Sequence, residues 1–63
     1  MRKMSKMMYV NEGHEISIIP NQNSSGYKIY EYYNGKEISF RKETNASALK
    51  LAKKYKDLGY DSF

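Results

Sequence analysis

Few residues of this chain are of a type that does covalent or acid–base chemistry. The single histidine, His14, stands between Gly13 and Glu15. An imidazole with an acidic neighbour is the smallest start of a general base. Here it falls beside Asn11-Glu12-Gly13, which reads as a turn, and a lone histidine there is more often a surface residue than a base. The carboxylates Glu12, Glu15, Glu31, Glu37, Glu43, Asp57 and Asp61 are scattered along the chain. Glu12 and Glu15 approach each other in a turn, but nothing in their spacing gives the desolvated, unequal pair that acid–base catalysis uses. Cysteine is absent and no second histidine exists, which excludes zinc sites built on either. Gly35-Lys36 lacks the other glycines and the Ser/Thr of a phosphate loop. The expectation is a protein without catalytic residues, metal or cofactor.

A second set of residues suits binding rather than catalysis. Lys28, Tyr30, Tyr32 and Arg41 alternate along two segments that read as paired strands. Cations neutralise phosphates and release counterions. Arginine pairs with guanine in a major groove, and tyrosine stacks on unpaired bases. Lys50, Lys53 and Lys54 add charge in a later helical stretch. Against this stands a plain reading: tyrosine is a good strand residue, and Tyr/Lys mixtures are common on solvated sheets. A third reading is a protein-binding surface, since interfaces favour tyrosine and arginine.

These residues need a frame. Asn34-Gly35 lies between Gly26–Tyr33 and Lys36–Lys42, both rich in aromatic and β-branched residues. Asn-Gly suits a two-residue type I′ turn, so the pair predicts a hairpin. Unbroken pairing from that turn sets Tyr33 opposite Lys36, Glu31 opposite Ile38, Ile29 opposite Phe40 and Tyr27 opposite Lys42. Ile29, Ile38 and Phe40 mark that face as the core side. Lys28, Tyr30 and Tyr32 then share the other face with Arg41, Ser39 and Glu37. A bulge in the hairpin turns the tyrosines inward instead.

Glu15–Ile19, stopped by Pro20, predicts a third strand with Ile16 and Ile18 inward. Met7–Val10 is a further strand in reach of it, which leaves the sheet at three strands or four. Asn21–Gly26 is a polar loop. Thr44 or Asn45 can cap a helix. Ala48, Leu51, Ala52, Tyr55 and Leu58 then recur at the spacing of one helical face. Gly59 suits the position after the helix, with Tyr60 folding back on Tyr55, and Asp61-Ser62-Phe63 suits a short edge segment. The fold class is α+β: a small antiparallel sheet packed on one C-terminal helix.

At 63 residues the chain allows one small domain, 1–63, with residues 1–6 as a flexible basic N-terminus. Its net charge is +4, concentrated at the two ends, and that suits DNA as a partner. No apolar run follows the N-terminal basic residues, so neither a signal peptide nor a membrane span is expected. A cytoplasmic location and no membrane contact follow from that reading. Without disulfide or metal, a homodimer is the remaining staple for so small a core.

The layout of strands followed by one helix over Gly26–Tyr60 resembles the arm-type DNA-binding domains of phage and transposon integrases. It also resembles the plant ethylene-response DNA-binding domain. Those families insert the sheet in the major groove, which implies groove-facing roles for Lys28, Tyr30, Tyr32 and Arg41. Their Trp and Arg pattern is not seen in this chain. The composition is similar to that of small proteins of phages and other mobile elements, many of which bind a host protein. Two functions therefore stand open: a DNA-binding module, or a mobile-element protein that modulates a host protein.

Overall fold

The computed structural model describes residues 6–63, so the basic stretch expected to be flexible lies largely outside the described residues. Strands β1 (Met7–Asn11), β2 (His14–Pro20), β3 (Tyr27–Tyr33) and β4 (Lys36–Glu43) precede helix α1 (Asn45–Asp57) and the short strand β5 (Asp61–Ser62). They form one antiparallel sheet of five strands in the order β4-β3-β2-β1-β5, with the helix packed on it. The α+β class is as expected. The sheet gains β1 and β5 over the three-strand minimum.

Local chemistry sets the turns. Asn34 and Gly35 both adopt positive φ, 51° and 81°, as a type I′ hairpin requires. Glu12 and Gly13 repeat the same geometry at 47° and 85°, and this pins β1 to β2 with Asn11 opposite His14. The Asn34 amide donates to the Gly13 carbonyl at 2.8 Å, which joins the two turns.

The helix starts at Thr44, whose Oγ1 accepts from the Ser47 amide at 3.2 Å. Asn45 serves the loop instead. Its Oδ1 accepts from the Gly26 amide at 3.0 Å and ties the β2–β3 connection to the helix. At the other end the Gly59 amide donates to the Lys56 carbonyl and the Tyr60 amide to the Tyr55 carbonyl, each at 3.1 Å. With Gly59 at φ 88°, this is a Schellman close. It sets the Tyr60 ring 5.0 Å from the Tyr55 ring and returns the chain to pair with β1.

The core lies between helix and sheet. Ile16, Ile18 and Ile29 are fully buried beneath Ala48, Ala52 and Tyr55, with Tyr9 and Tyr27 at the sides. The two alanines let the helix sit close to the isoleucines. Burying each isoleucine contributes about 1.5–3 kcal/mol. Leu58, expected on the apolar face, is the C-cap and is exposed.

Candidate binding surface

The β3–β4 register departs from unbroken pairing. Tyr33 faces Lys36 and Tyr32 faces Glu37, but Glu31 faces Ser39, Ile29 faces Arg41 and Tyr27 faces Glu43. Ile38 is the extra residue of a β-bulge. One inserted residue reverses the face of everything beyond it. Phe40, expected in the core, therefore joins Tyr30 and Tyr32 on the face away from the helix, and Ile38, also expected in the core, is exposed at the bulge. Arg41 and Ser39 move to the helix side. The tyrosines stay on the open face, because the bulge lies in β4 and not in β3.

The open face runs in three rows across β1 to β4, with β5 extending the third. Ile19, Lys28 and Lys42 are cross-strand partners in the first row. Met8, Ser17, Tyr30 and Phe40 form the second, and Asp61, Val10, Glu15, Tyr32 and Glu37 the third, with Ile38 next in the chain to Glu37 at the bulge. Tyr30 and Phe40 rings lie 4.9 Å apart, and Ser17 between Met8 and Tyr30 is buried. Ile38 is 57% exposed and Phe40 45%. No described element covers them.

Charge on this face is ordered. Lys28 and Lys42 stand opposite each other at one end, and like charges so placed repel. Glu15 and Glu37 flank Tyr32 at the other end. Arg41 instead pairs with Glu43 at 3.5 Å on the helix side. Of the expected site, Lys28, Tyr30 and Tyr32 share a surface and Arg41 does not. Lys50, Lys53 and Lys54 are exposed on the helix, so the sheet separates them from the open face. Lys53 pairs with Asp57 at 3.3 Å, and Lys54 lies 5.4 Å from the Tyr55 ring centroid.

His14 is not a surface turn residue. It opens β2, and its ring is half-buried against Tyr33, Tyr55 and Tyr60. Nε2 lies 2.6 Å from Glu31 Oε2 and Nδ1 lies 2.6 Å from the Tyr60 hydroxyl. An ionised carboxylate only accepts, so Nε2 donates to Glu31. In the neutral ring, Nδ1 then accepts from the Tyr60 O–H. The order carboxylate–imidazole–hydroxyl matches that of a nucleophilic triad. Here it joins β3, β2 and the segment after the helix, and both ring nitrogens are engaged within the fold. Beside it, burial raises the Tyr55 phenol above its ordinary pKa; Glu31 and Tyr60 add to the rise and Arg41 opposes it. Strand parity carried a signal for this cluster, because His14 is two residues before Ile16 and so falls on the core face.

Among the described residues no group of three or more acidic or histidine side chains is placed to hold a metal. No described helix is long and apolar enough to cross a membrane. No protein-family model, curated protein or solved structure matches the chain. The resemblance to integrase arm-type domains thus rests on element order alone.

Proposed function

We propose that this chain is a non-enzymatic binding module that docks a protein on the open face of its sheet. The observation that carries the reading is the uncovered aromatic centre, Phe40 beside Tyr30 and Tyr32, with the exposed Ile38 at the adjoining bulge. Grouped apolar exposure of this kind marks interaction sites. The face also holds Lys28 and Lys42 against Glu15, Glu37 and Asp61, the last paired with Val10 at the β1–β5 edge, so its formal charge sums to −1. Phosphate backbones are held by net positive charge. That balance moves the sheet face away from DNA and toward a protein with an apolar centre and charged ends. A host-directed role for a mobile-element protein belongs to this reading. The test is a photo-crosslinking side chain placed at Phe40 or, as control, at Lys53. Protein adducts from position 40 alone support docking; none there, or equal capture at both, defeats it.

A second reading is favoured by the outer side of the helix. Lys50, Lys53, Lys54 and Lys56 stand there with only Asp57 to offset them. This stripe is where a nucleic-acid backbone would sit, with affinity falling steeply as salt rises. A DNA titration at two salt concentrations checks it: shifts confined to helix residues that weaken with salt support the reading, and none at low salt removes it.

A further inference from the structure

We infer that the occupant of the open face is a second copy of this chain, packed face to face with its strands reversed. The inference rests on the docking reading above and names its partner. It follows from the order of the three rows. A two-fold axis running across the strands through the Ser17–Tyr30–Phe40 row turns the face onto itself. The aromatic row then lies over its own symmetry mate. Lys42 stands over Glu37 of the second copy, and Glu37 under the other Lys42. Lys28 meets the row that holds Tyr32 and lies between Glu15 and Glu37. A two-fold axis along the strands does the opposite and sets the lysine row on the lysine row. Charge therefore selects the reversed arrangement, and the contact is isologous, as most homodimers are.

Two sheets packed this way lie about 10 Å apart, with a helix on each outer side. The extra layer also answers the like-charge pair Lys28–Lys42, which nothing described on the same face of the protomer offsets. The free edge of β4 is a poorer contact for a second copy. It carries a bulge together with Arg41, Lys42 and Glu43, the devices by which sheets avoid edge pairing.

Size sets the strength. Four strands about 4.8 Å apart and six residues about 3.3 Å long each give a planar face of roughly 400 Å². Two such faces bury less than the roughly 1,200–2,000 Å² of a standard stable interface. The dimer is therefore a weak one, with dissociation in the micromolar range or above.

Sedimentation equilibrium of the full chain from about 10 μM to about 1 mM reads this directly, since a dissociation constant in that window shifts the mean mass across it. Lys42→Glu or Glu37→Lys alone sets like charges together at two symmetric contacts. Each weakens association by about tenfold or more, while the pair Lys42→Glu/Glu37→Lys restores it to within about threefold. Lys53→Glu, on the helix, leaves it unchanged. Phe40→Asp abolishes association while circular dichroism reports the same fold. A wild-type chain that stays monomeric to about 1 mM overturns the inference, as does a double variant no stronger than either single one. If the monomer nevertheless gives protein adducts from position 40, the docking reading stands and the partner is another protein.

Discussion

The Tyr60 hydroxyl lies 2.6 Å from His14 Nδ1, across 46 positions of the chain. The contact fastens the segment after the helix to the second strand. Glu31, on the neighbouring strand, holds the other nitrogen of the same ring at 2.6 Å. One imidazole thus couples the C-terminal end of the helix to the middle of the sheet, at the end where both two-residue turns lie.

Removing the ring should loosen the whole domain. His14→Ala deletes both hydrogen bonds and three ring contacts, and leaves Glu31 and Tyr60 to water. A hydrogen bond to a charged group is worth about 1.5–3 kcal/mol. The pair is about one-fifth exposed, so a loss of about 1–2 kcal/mol is expected. Tyr60→Phe removes one neutral bond and should cost about 0.5–1.5 kcal/mol. Urea denaturation followed by circular dichroism measures both. A His14→Ala chain as stable as wild type would show the cluster to be incidental.

Alkaline stability should follow Tyr55. Its pKa is raised in the folded state, first by burial and then by Glu31 and Tyr60. The sign follows from linkage: the unfolded phenol ionises near pH 10, before the folded one does. The stabilisation is complete below pH 10 and is lost as pH rises from there through the folded pKa. Tyr55→Phe should flatten that alkaline fall. Denaturation midpoints from about pH 8 to 11 decide it, and parallel curves for the two chains would rule it out.

Glu12 offers a stabilising change. It sits at φ 47° in a turn whose twin uses asparagine. The left-handed region costs an ordinary residue about 1–2 kcal/mol, and asparagine much of that less. Glu12→Asn should therefore raise stability by about 0.5–1 kcal/mol. A lowered melting temperature would mean that the Glu12 side chain makes a contact worth more than the strain.

Two glycines should respond differently to a methyl group. Gly26 and Gly35 both have positive φ, 96° and 81°. A Cβ at Gly26 meets the Glu43 carbonyl oxygen at 2.8 Å, while at Gly35 it meets nothing within 4 Å. Gly35→Ala should show the backbone strain alone, about 1–2 kcal/mol. Gly26→Ala should cost more, because β4 and the loop must separate. Equal losses in thermal melts would show that the loop gives way freely.

Much of the frame was legible in the residues. Asn34-Gly35 fixed one hairpin through its tolerance of positive φ, and Thr44 or Asn45 with Gly59 bounded the helix, the cap itself falling to Thr44. The site was legible only in part. Lys28, Tyr30 and Tyr32 share their face because strand parity on β3 is local. Arg41 and Phe40 exchanged faces because the pairing slips by one residue at Ile38, and no local preference of Glu37-Ile38-Ser39 announces a bulge. The exposed lysines of the helix were readable from its periodicity, but not their separation from Lys28 by the full thickness of the sheet.

What the sequence determined by itself is therefore whatever depends on neighbours in the chain: turn type, helix caps, alternation within a strand, and the absence of cysteine. Tertiary structure decided what depends on partners far apart in sequence. It placed His14 between Glu31 and Tyr60, and it sorted β4 so that lysines end one side of the open face and glutamates the other. Backbone torsions answer to their own side chain within a few bonds. Register and cross-sheet contacts answer to the packing of all five strands and the helix at once.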